Sequence, residues 1–450
     1  MRKNTLDTTT GNINKHLITL AIPLILGNIL QQFYNTIDAF VVGNYAGQNE
    51  MAAIGIGGTV MNLFLFAIVG SCTGFSVLFA RYYGAKDWPA FRKQHFTVLL
   101  IGLIGTVILG SAGLLLMKSL LGIIQTPSSL YAYTAIYLKW IFISLPATFI
   151  YNLYASILRS CGDTKAALYI LAISIFSNLL LDILFVVKFH WGIEGAAKAT
   201  ALTQLFSSVL CVAYMLKKYK ELVFHKEDCQ LKKSVIKTTI HFGTVTALHQ
   251  SSLYIGKIFV QGAVNSLGTD AIIAYTAATR IEGFINSFGD SGAASTSIVT
   301  SQNVGAGKKE RVQQTFKNSL FLLTILGLLC SLLLFTTSSV TAGLLLGTKT
   351  STAYFSAVGY MKTISVFYFL CFTGNTFAGY FDGTGKVSIP FTGSVGHITL
   401  RVILSWLLIQ QLHLNAIAVA SGIGWILANT FWGLCYMKLK RTDNPSTVNP

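Results

Sequence analysis

Read from one end to the other, the chain alternates long apolar stretches with short polar ones. Positions 99–117 and 319–348 contain no charged residue at all. A helix needs about 20 mainly apolar residues to cross a bilayer, and stretches of that kind recur along the whole chain. Their limits predict twelve spans, at 15–43, 52–83, 92–118, 131–157, 165–188, 194–217, 238–267, 271–304, 312–339, 352–380, 387–411 and 416–438. Several exceed the minimum, which predicts tilt or extension beyond the bilayer. The polar segment 1–14 leads into a full-length span rather than a short signal core, so the first helix is expected to remain in the mature chain.

Composition agrees with lipid as the solvent. Of 450 residues, 53% are hydrophobic and 11% charged, where a soluble chain carries roughly 25% charged residues. The net charge of +17 would suggest nucleic acid in a soluble protein. Here the bases sit in short loops between apolar stretches, where orientation signals belong, and a nucleic-acid partner is excluded. Arg2, Lys3 and Lys15, then Arg81, Lys86, Arg92 and Lys93, then Arg159 and Lys165, all fall on one side. So do the lysines of 217–237, Lys308, Lys309, Arg311, Lys317, Lys386 and the C-terminal Lys438, Lys440 and Arg441. The other side shows mainly Lys118, Lys188 and Lys349. This asymmetry predicts a multi-pass protein of the cell membrane with both termini cytoplasmic and an even number of spans. The lysine-rich segment at the centre reads first as a topology signal and linker, and second as an attractor for anionic headgroups.

The chain also repeats itself. Gly47, Ala53, Gly84 and Gly162 recur as Gly268, Ala274, Gly305 and Gly383, each 221 residues later. The expected organisation is an N-lobe of six helices over 1–220, a basic cytoplasmic linker over 221–237 and a C-lobe of six helices over 238–450. Six is even, so the copies are parallel repeats about an axis along the membrane normal. Two lobes rocking about a central cavity is a carrier architecture rather than that of a channel.

Acidic residues inside a span are costly, about 3 kcal/mol each, and are functional by default. Gln31, Tyr34 and Asp38 share one face of span 1. Asn178 and Asp182 lie at i and i+4 in span 5, Thr200 and Gln204 likewise in span 6, and Asn152 lies in span 4. If these faces converge, they form an oxygen-lined pocket with two carboxylates. Such a pocket can hold a shared proton, because close buried carboxylates resist joint ionisation. It can equally hold a hard cation such as Na⁺ on Asp38, Asp182, Asn178 and Thr200. Static packing is the plain alternative, and for Tyr34 and Gln31 it fits as well as function does.

At this point the residues resemble a known family. Residues 32–38 (QFYNTID), Val42-Gly43 and Ala52-Ala53-Ile54-Gly55 are similar to the first two helices of MATE (multidrug and toxic compound extrusion) transporters. Residues 80–87 (ARYYGAKD) and 159–164 (RSCGDT) are similar to that family's loops after helices 2 and 4. The resemblance covers essentially the whole chain. It implies an all-α, V-shaped, two-lobe transporter that exports amphipathic, often cationic organic compounds in exchange for H⁺ or Na⁺, works as a monomer and needs no cofactor. It implies Asp38 as the central coupling residue, accompanied by Asn178, Asp182, Thr200 and Tyr34, with Pro23 as the hinge of helix 1; proline removes a backbone hydrogen bond there. Helix 7 carries His249 and Lys257 and no acid, and helix 10 has none before Asp382. That departs from the NorM-like branch and is closer to the DinF-like one.

The C-lobe holds Lys257, Arg280, Glu282, Asp290 and Arg401. A structural pair of Glu282 with Lys257 is the plainer reading, and contact with a cationic drug the other. Gln31, Gln204, Lys257, Arg280, Glu282, Phe149 and Phe288 are the candidate substrate contacts, with Tyr151 and Phe284 as further aromatic walls. Two rival functions are carried forward. A lipid-linked oligosaccharide flippase of related architecture would use Lys257, Arg280 and Arg401 on a pyrophosphate. An intramembrane enzyme would need a nucleophile with a base or an H-E-x-x-H metal set, and neither is present. The seven cysteines form no C-x-x-C pair and read as small buried hydrophobes. No ATP-binding loop is present either, since Gly383-Thr384-Gly385-Lys386 lacks the phosphate-binding frame.

Overall fold

A computed structural model describes residues 6–45 and 47–443. The described residues form fourteen α-helices, with no strand among them. In chain order these are α1 (Ile13–Tyr45), α2 (Gln48–Ala85), α3 (Trp88–Leu115), α4 (Met117–Ile123), α5 (Ser128–Ser160), α6 (Thr164–Asp182) and α7 (Gly192–Lys218). They continue with α8 (Lys233–Asn265), α9 (Thr269–Gly305), α10 (Lys309–Leu346), α11 (Thr352–Ser365), α12 (Tyr368–Gly383), α13 (Ser388–Leu412) and α14 (Asn415–Asp443). Among the described residues, nine helices are long and apolar enough to cross a membrane, and the bent pair α11–α12 makes a tenth. Helices α8 and α9 have crossing length, 33 and 37 residues, but are more polar. With them the set matches the twelve expected spans.

Local chemistry sets the helix ends. Asp87 and Asp163 cap α3 and α6, accepting from the amides of Ala90 at 3.0 Å and Ala166 at 3.2 Å. A side-chain oxygen there satisfies an amide that the helix itself cannot. The starts of α2 and α9 are each preceded by glycine in the positive-φ region, Gly47 at 102° and Gly268 at 90°, which a β-carbon would disfavour. The repeat read from sequence is therefore also a repeat of structure. Gln48 and Thr269 start their helices 221 residues apart, and so do Trp88 and Lys309.

The expected span 352–380 is not one straight helix. It breaks between Ser365 and Tyr368 and bends by 51°. No proline marks the break. Phe367 is accommodated where Gly422 has no side chain, and Asn429 of α14 donates to the Leu370 carbonyl at 2.9 Å. That bond ties the first turn of α12 to α14 just after the break. The segment after span 3 also folds further than expected, into the short helix α4.

The chain divides into two compact units, whose limits differ from those of the sequence repeats. One unit comprises Ile22–Gln250 with the described residues up to Thr8; the other comprises Thr9–Ala21 and the residues from Ser251. The boundaries fall inside α1 and α8, not at the linker. Close packing explains why the first half of α8 stays with α2. A β-carbon at Gly70 would come within 2.6 Å of the Thr246 carbonyl, and one at Gly74 within 2.6 Å of the Phe242 carbonyl. Ser71 donates to the Gly243 carbonyl at 3.3 Å. Small residues that let helix backbones approach are the usual means of association in lipid. The first residues of the other unit are held through their carbonyls, Thr9 by Lys308 Nζ at 2.8 Å and Gly11 by Arg311 Nη1 at 3.0 Å.

The linker joins α7 to α8. It runs from Tyr219 to the start of α8 and contains two 3₁₀ turns, Lys220–Leu222 and Lys226–Asp228.

Candidate ion-coupling and substrate site

In the first unit the polar residues lie on α1, α5, α6 and α7. Tyr34 of α1 donates its hydroxyl to Asn178 Oδ1 of α6. Asn178 and Asp182 are buried, one turn apart on the same helix face. Ser207 of α7 donates to Ser174 Oγ of α6 at 2.6 Å. Continuing that antiparallel register for two turns brings Asp182 level with Thr200, and Asn178 level with Thr203 and Gln204. Buried polar atoms without a hydrogen-bond partner among the described residues cluster on this stretch: Asn178 Nδ2, Thr203 Oγ1 and Gln204 Oε1. Such orphans are rare in native interiors and point to a bound water or ion.

Asp182 is the last residue of α6, and a π-helical segment, Ile183–Lys188, follows at once. Single-turn π segments inside helices recur at functional sites. Phe185 of this segment stacks on Trp191, 4.9 Å apart, and Lys198 Nζ lies 4.8 Å from the Trp191 ring.

The other predicted residues are placed as follows. Asp38 lies on α1, and its side chain is outside the described residues. Gln31 is half-buried on the same helix. Thr200 donates to the Ala196 carbonyl of its own helix at 3.1 Å, and Asn152 to the Thr148 carbonyl of α5 at 2.8 Å. Pro23 lies inside α1 at the place where that helix passes from one unit to the other. Among the described residues, no group of three or more His, Cys, Asp or Glu side chains could hold a metal ion. A cation here would depend on amide and hydroxyl oxygens as well as carboxylate.

Phe149 is a correction. It is 2% exposed and packs in the core of its unit, its ring filling the space beside Gly102. It is therefore a core side chain in this structure. Alternation on an amphipathic helix does not separate a wall from a core when both are aromatic.

In the second unit the structure assembles a polar cluster whose members the sequence left unconnected. Arg401 of α13 donates to the Tyr275 hydroxyl of α9 at 3.5 Å. Tyr275 packs edge-on against Tyr360, with centroids 5.6 Å apart. The Glu282 carboxyl lies within the electrostatic reach of Tyr360, Arg401, Tyr368 and Lys257. Its Oε1 and the Arg401 Nε have no hydrogen-bond partner among the described residues. Among the described residues, no ion pair within 4.0 Å joins Glu282 to Lys257. Arg280 is exposed, and Phe288 is half-buried against the core. Arg401 and three tyrosines in otherwise apolar spans were the readable signal; which of them meet depends on helix rotation, which a single sequence does not carry.

On the lysine-rich side, Asp163 joins three elements. Besides capping α6, its Oδ2 accepts from Tyr214 at 2.9 Å and from Tyr219 at 2.6 Å. Burial, and then the carboxylate, push the Tyr219 hydroxyl well above its ordinary pKa, so it stays a donor.

Comparison with known proteins follows the same division. The MatE family profile matches twice, over residues 23–184 and 246–407. The chain is 28% identical over 308 residues to a probable multidrug resistance protein, YpnP, of Bacillus subtilis, covering 68% of each chain. It is 24% identical over 433 residues to a probable multidrug resistance protein, NorM, of Thermotoga maritima, covering 91% of this chain and 89% of that one. Among solved structures, a MATE in complex with MaD3S superposes with a TM-score of 0.89 at 21% identity, covering 99% of this chain and 100% of that one. An outward-facing MATE family multidrug resistance transporter superposes at 0.88, also at 21% identity, covering 99% of each chain.

Proposed function

Because the chain belongs to the MatE family, whose members are membrane transporters and not enzymes, we propose that it is a secondary antiporter. It exports amphipathic, often cationic organic compounds from the cytoplasm in exchange for H⁺ or Na⁺. The observation that carries this reading is the Tyr34–Asn178 hydrogen bond beside buried Asp182. It ties α1, which bears Asp38, to the helix that bears the second carboxylate. Entry of a cation onto Asp38 and Asp182, with Asn178 and Thr200 supplying neutral oxygens, removes charge repulsion between the carboxylates. That change in turn biases α1 around Pro23, and the bias on α1 lowers affinity for the drug. Drug arriving from the cytoplasm reverses the sequence. Cation and drug thus compete through one two-state element, the condition for coupling.

The flippase reading loses support at Arg401. It donates to the Tyr275 hydroxyl and lies near Glu282, an acid that would repel a pyrophosphate. The deciding experiment is ethidium efflux from vesicles holding wild type, Asp38→Asn or Asp182→Asn, under an imposed proton or sodium gradient. Wild type should export dye with one gradient and both variants should not, at equal expression. Unchanged efflux in the variants would remove the carboxylate site from the mechanism.

A further inference from the structure

The linker between the two sequence repeats is not a loose tether. Arg92 of α3 forms an ion pair with Asp228 at 2.7 Å and donates to the Glu221 carbonyl at 3.3 Å. His95 meets the Leu222 carbonyl at 3.3 Å, and the Phe224 ring packs edge-on against His95 and Phe96 at 5.1 and 5.5 Å. Leu222 and Tyr219 are buried. These contacts fix the linker against the start of α3 and leave a groove of about 600 Å³ lined by Leu216, Lys220, Glu221, Val223, Phe224 and His225.

We propose that this groove is a binding site for one anionic phospholipid of the cytoplasmic leaflet, its phosphate on Lys220 and an acyl chain along Leu216, Val223 and Phe224. Position is the first argument. The span of α7 ends at Lys218, so the groove opens at the boundary between hydrocarbon and water. Leu216 is 49% exposed there and continues the groove wall into the lipid-facing surface. Charge is the second. Lys220 lines the groove, with Lys217 and Lys226 exposed beside it in the chain, against exposed Glu221 and Glu227; Asp228 is already taken by Arg92. An orientation signal requires lysines but no groove, whereas a bound lipid requires both an apolar wall and a cationic rim. Pre-ordering is the third: the strap is held before any lipid arrives, so little ordering entropy is lost on binding.

The test is lipid retention by the full-length protein. Protein is reconstituted in vesicles of phosphatidylcholine with a minority of phosphatidylglycerol, extracted, and its retained lipid identified by native mass spectrometry. Wild type should retain phosphatidylglycerol in preference to phosphatidylcholine. Lys220→Ala should lower that preference about fivefold, the effect of one basic charge at the surface, and Leu216→Asn should lower it in the same direction. Lys233→Ala, an equal loss of charge at an exposed position outside the groove, should leave it nearly unchanged. Equal losses in the two lysine variants would reduce the effect to a diffuse surface potential and overturn the site. Displacement by glycerophosphate as effective as by phosphatidylglycerol would overturn it too, because the acyl chain would then contribute nothing. The readout is independent of transport, so it stands or fails separately from the antiport reading.

Discussion

Tyr219 donates to Asp163 Oδ2 at 2.6 Å, joining the residue that follows α7 to the residue that caps α6. The carboxylate is buried and also receives Tyr214. Asp163→Ala should therefore do more than remove a cap, itself worth about 1 kcal/mol. It also takes an acceptor from the buried Tyr219 hydroxyl, at roughly 1 kcal/mol, while Tyr214 keeps Lys218 Nζ at 3.0 Å. A total loss of about 2 kcal/mol is expected, read as a lower unfolding temperature in detergent. Asp163→Asn should recover part of it.

Asp228 supplies a pH test. Burial raises its pKa, but the His225 amide and the Arg92 guanidinium outweigh burial and hold the carboxyl below its ordinary value. A carboxyl depressed in the folded state stabilises above its unfolded pKa, about 3.9, and that contribution fades as pH falls through the folded value. Protease cleavage of the linker should stay slow down to about pH 4 and accelerate below it. In Asp228→Asn, cleavage should be faster at neutral pH and should lack that acid step.

The Tyr34–Asn178 bond predicts a separation of coupling from folding. Tyr34→Phe and Asn178→Leu each remove one side of a hydrogen bond between helices, worth about 0.6 kcal/mol in membranes. Expression and thermal stability should change little. Gradient-driven dye efflux should fall by a factor of ten or more, roughly 1.4 kcal/mol, if the bond is used in the coupled step. Efflux at the wild-type level in both variants would show that the bond only packs α1.

Glu282 and Arg401 predict a rescue. Arg401→Leu removes the bond to Tyr275 and a base near the half-buried Glu282 carboxyl, a change expected to cost on the order of 1 kcal/mol. Combining it with Glu282→Gln should restore most of the lost thermal stability. Failure of the double variant to recover would show that Arg401 acts through Tyr275 rather than through Glu282.

Much of this architecture was legible in the chain because lipid imposes strict rules. Apolar length located the helices, and the spacing of 221 residues predicted paired starts, which Gln48 and Thr269 confirm. The break at Val366–Phe367 was not legible, because Gly422, which leaves room for Phe367, lies on α14. The residue types of a site on α1, α6 and α7 could be named from burial cost. That Tyr34 meets Asn178, and that Thr200 and Asn152 bond within their own helices, depends on rotations and rotamers that no single sequence encodes. Phe149 shows the same limit: a glycine on α3, out of view along the chain, decides that its ring fills a core.

The two sequence repeats do not coincide with the two packed units, since α1 and α8 each change unit partway along. Each repeat therefore donates one half-helix to the body built mainly by the other. Severing the chain in the linker would leave two fragments that each expose an unfilled seat and carry a segment made for the opposite one. Such fragments should be unstable when produced alone and should recover when produced together. The duplication that gave rise to the chain thus yielded two interdependent parts rather than two self-sufficient ones.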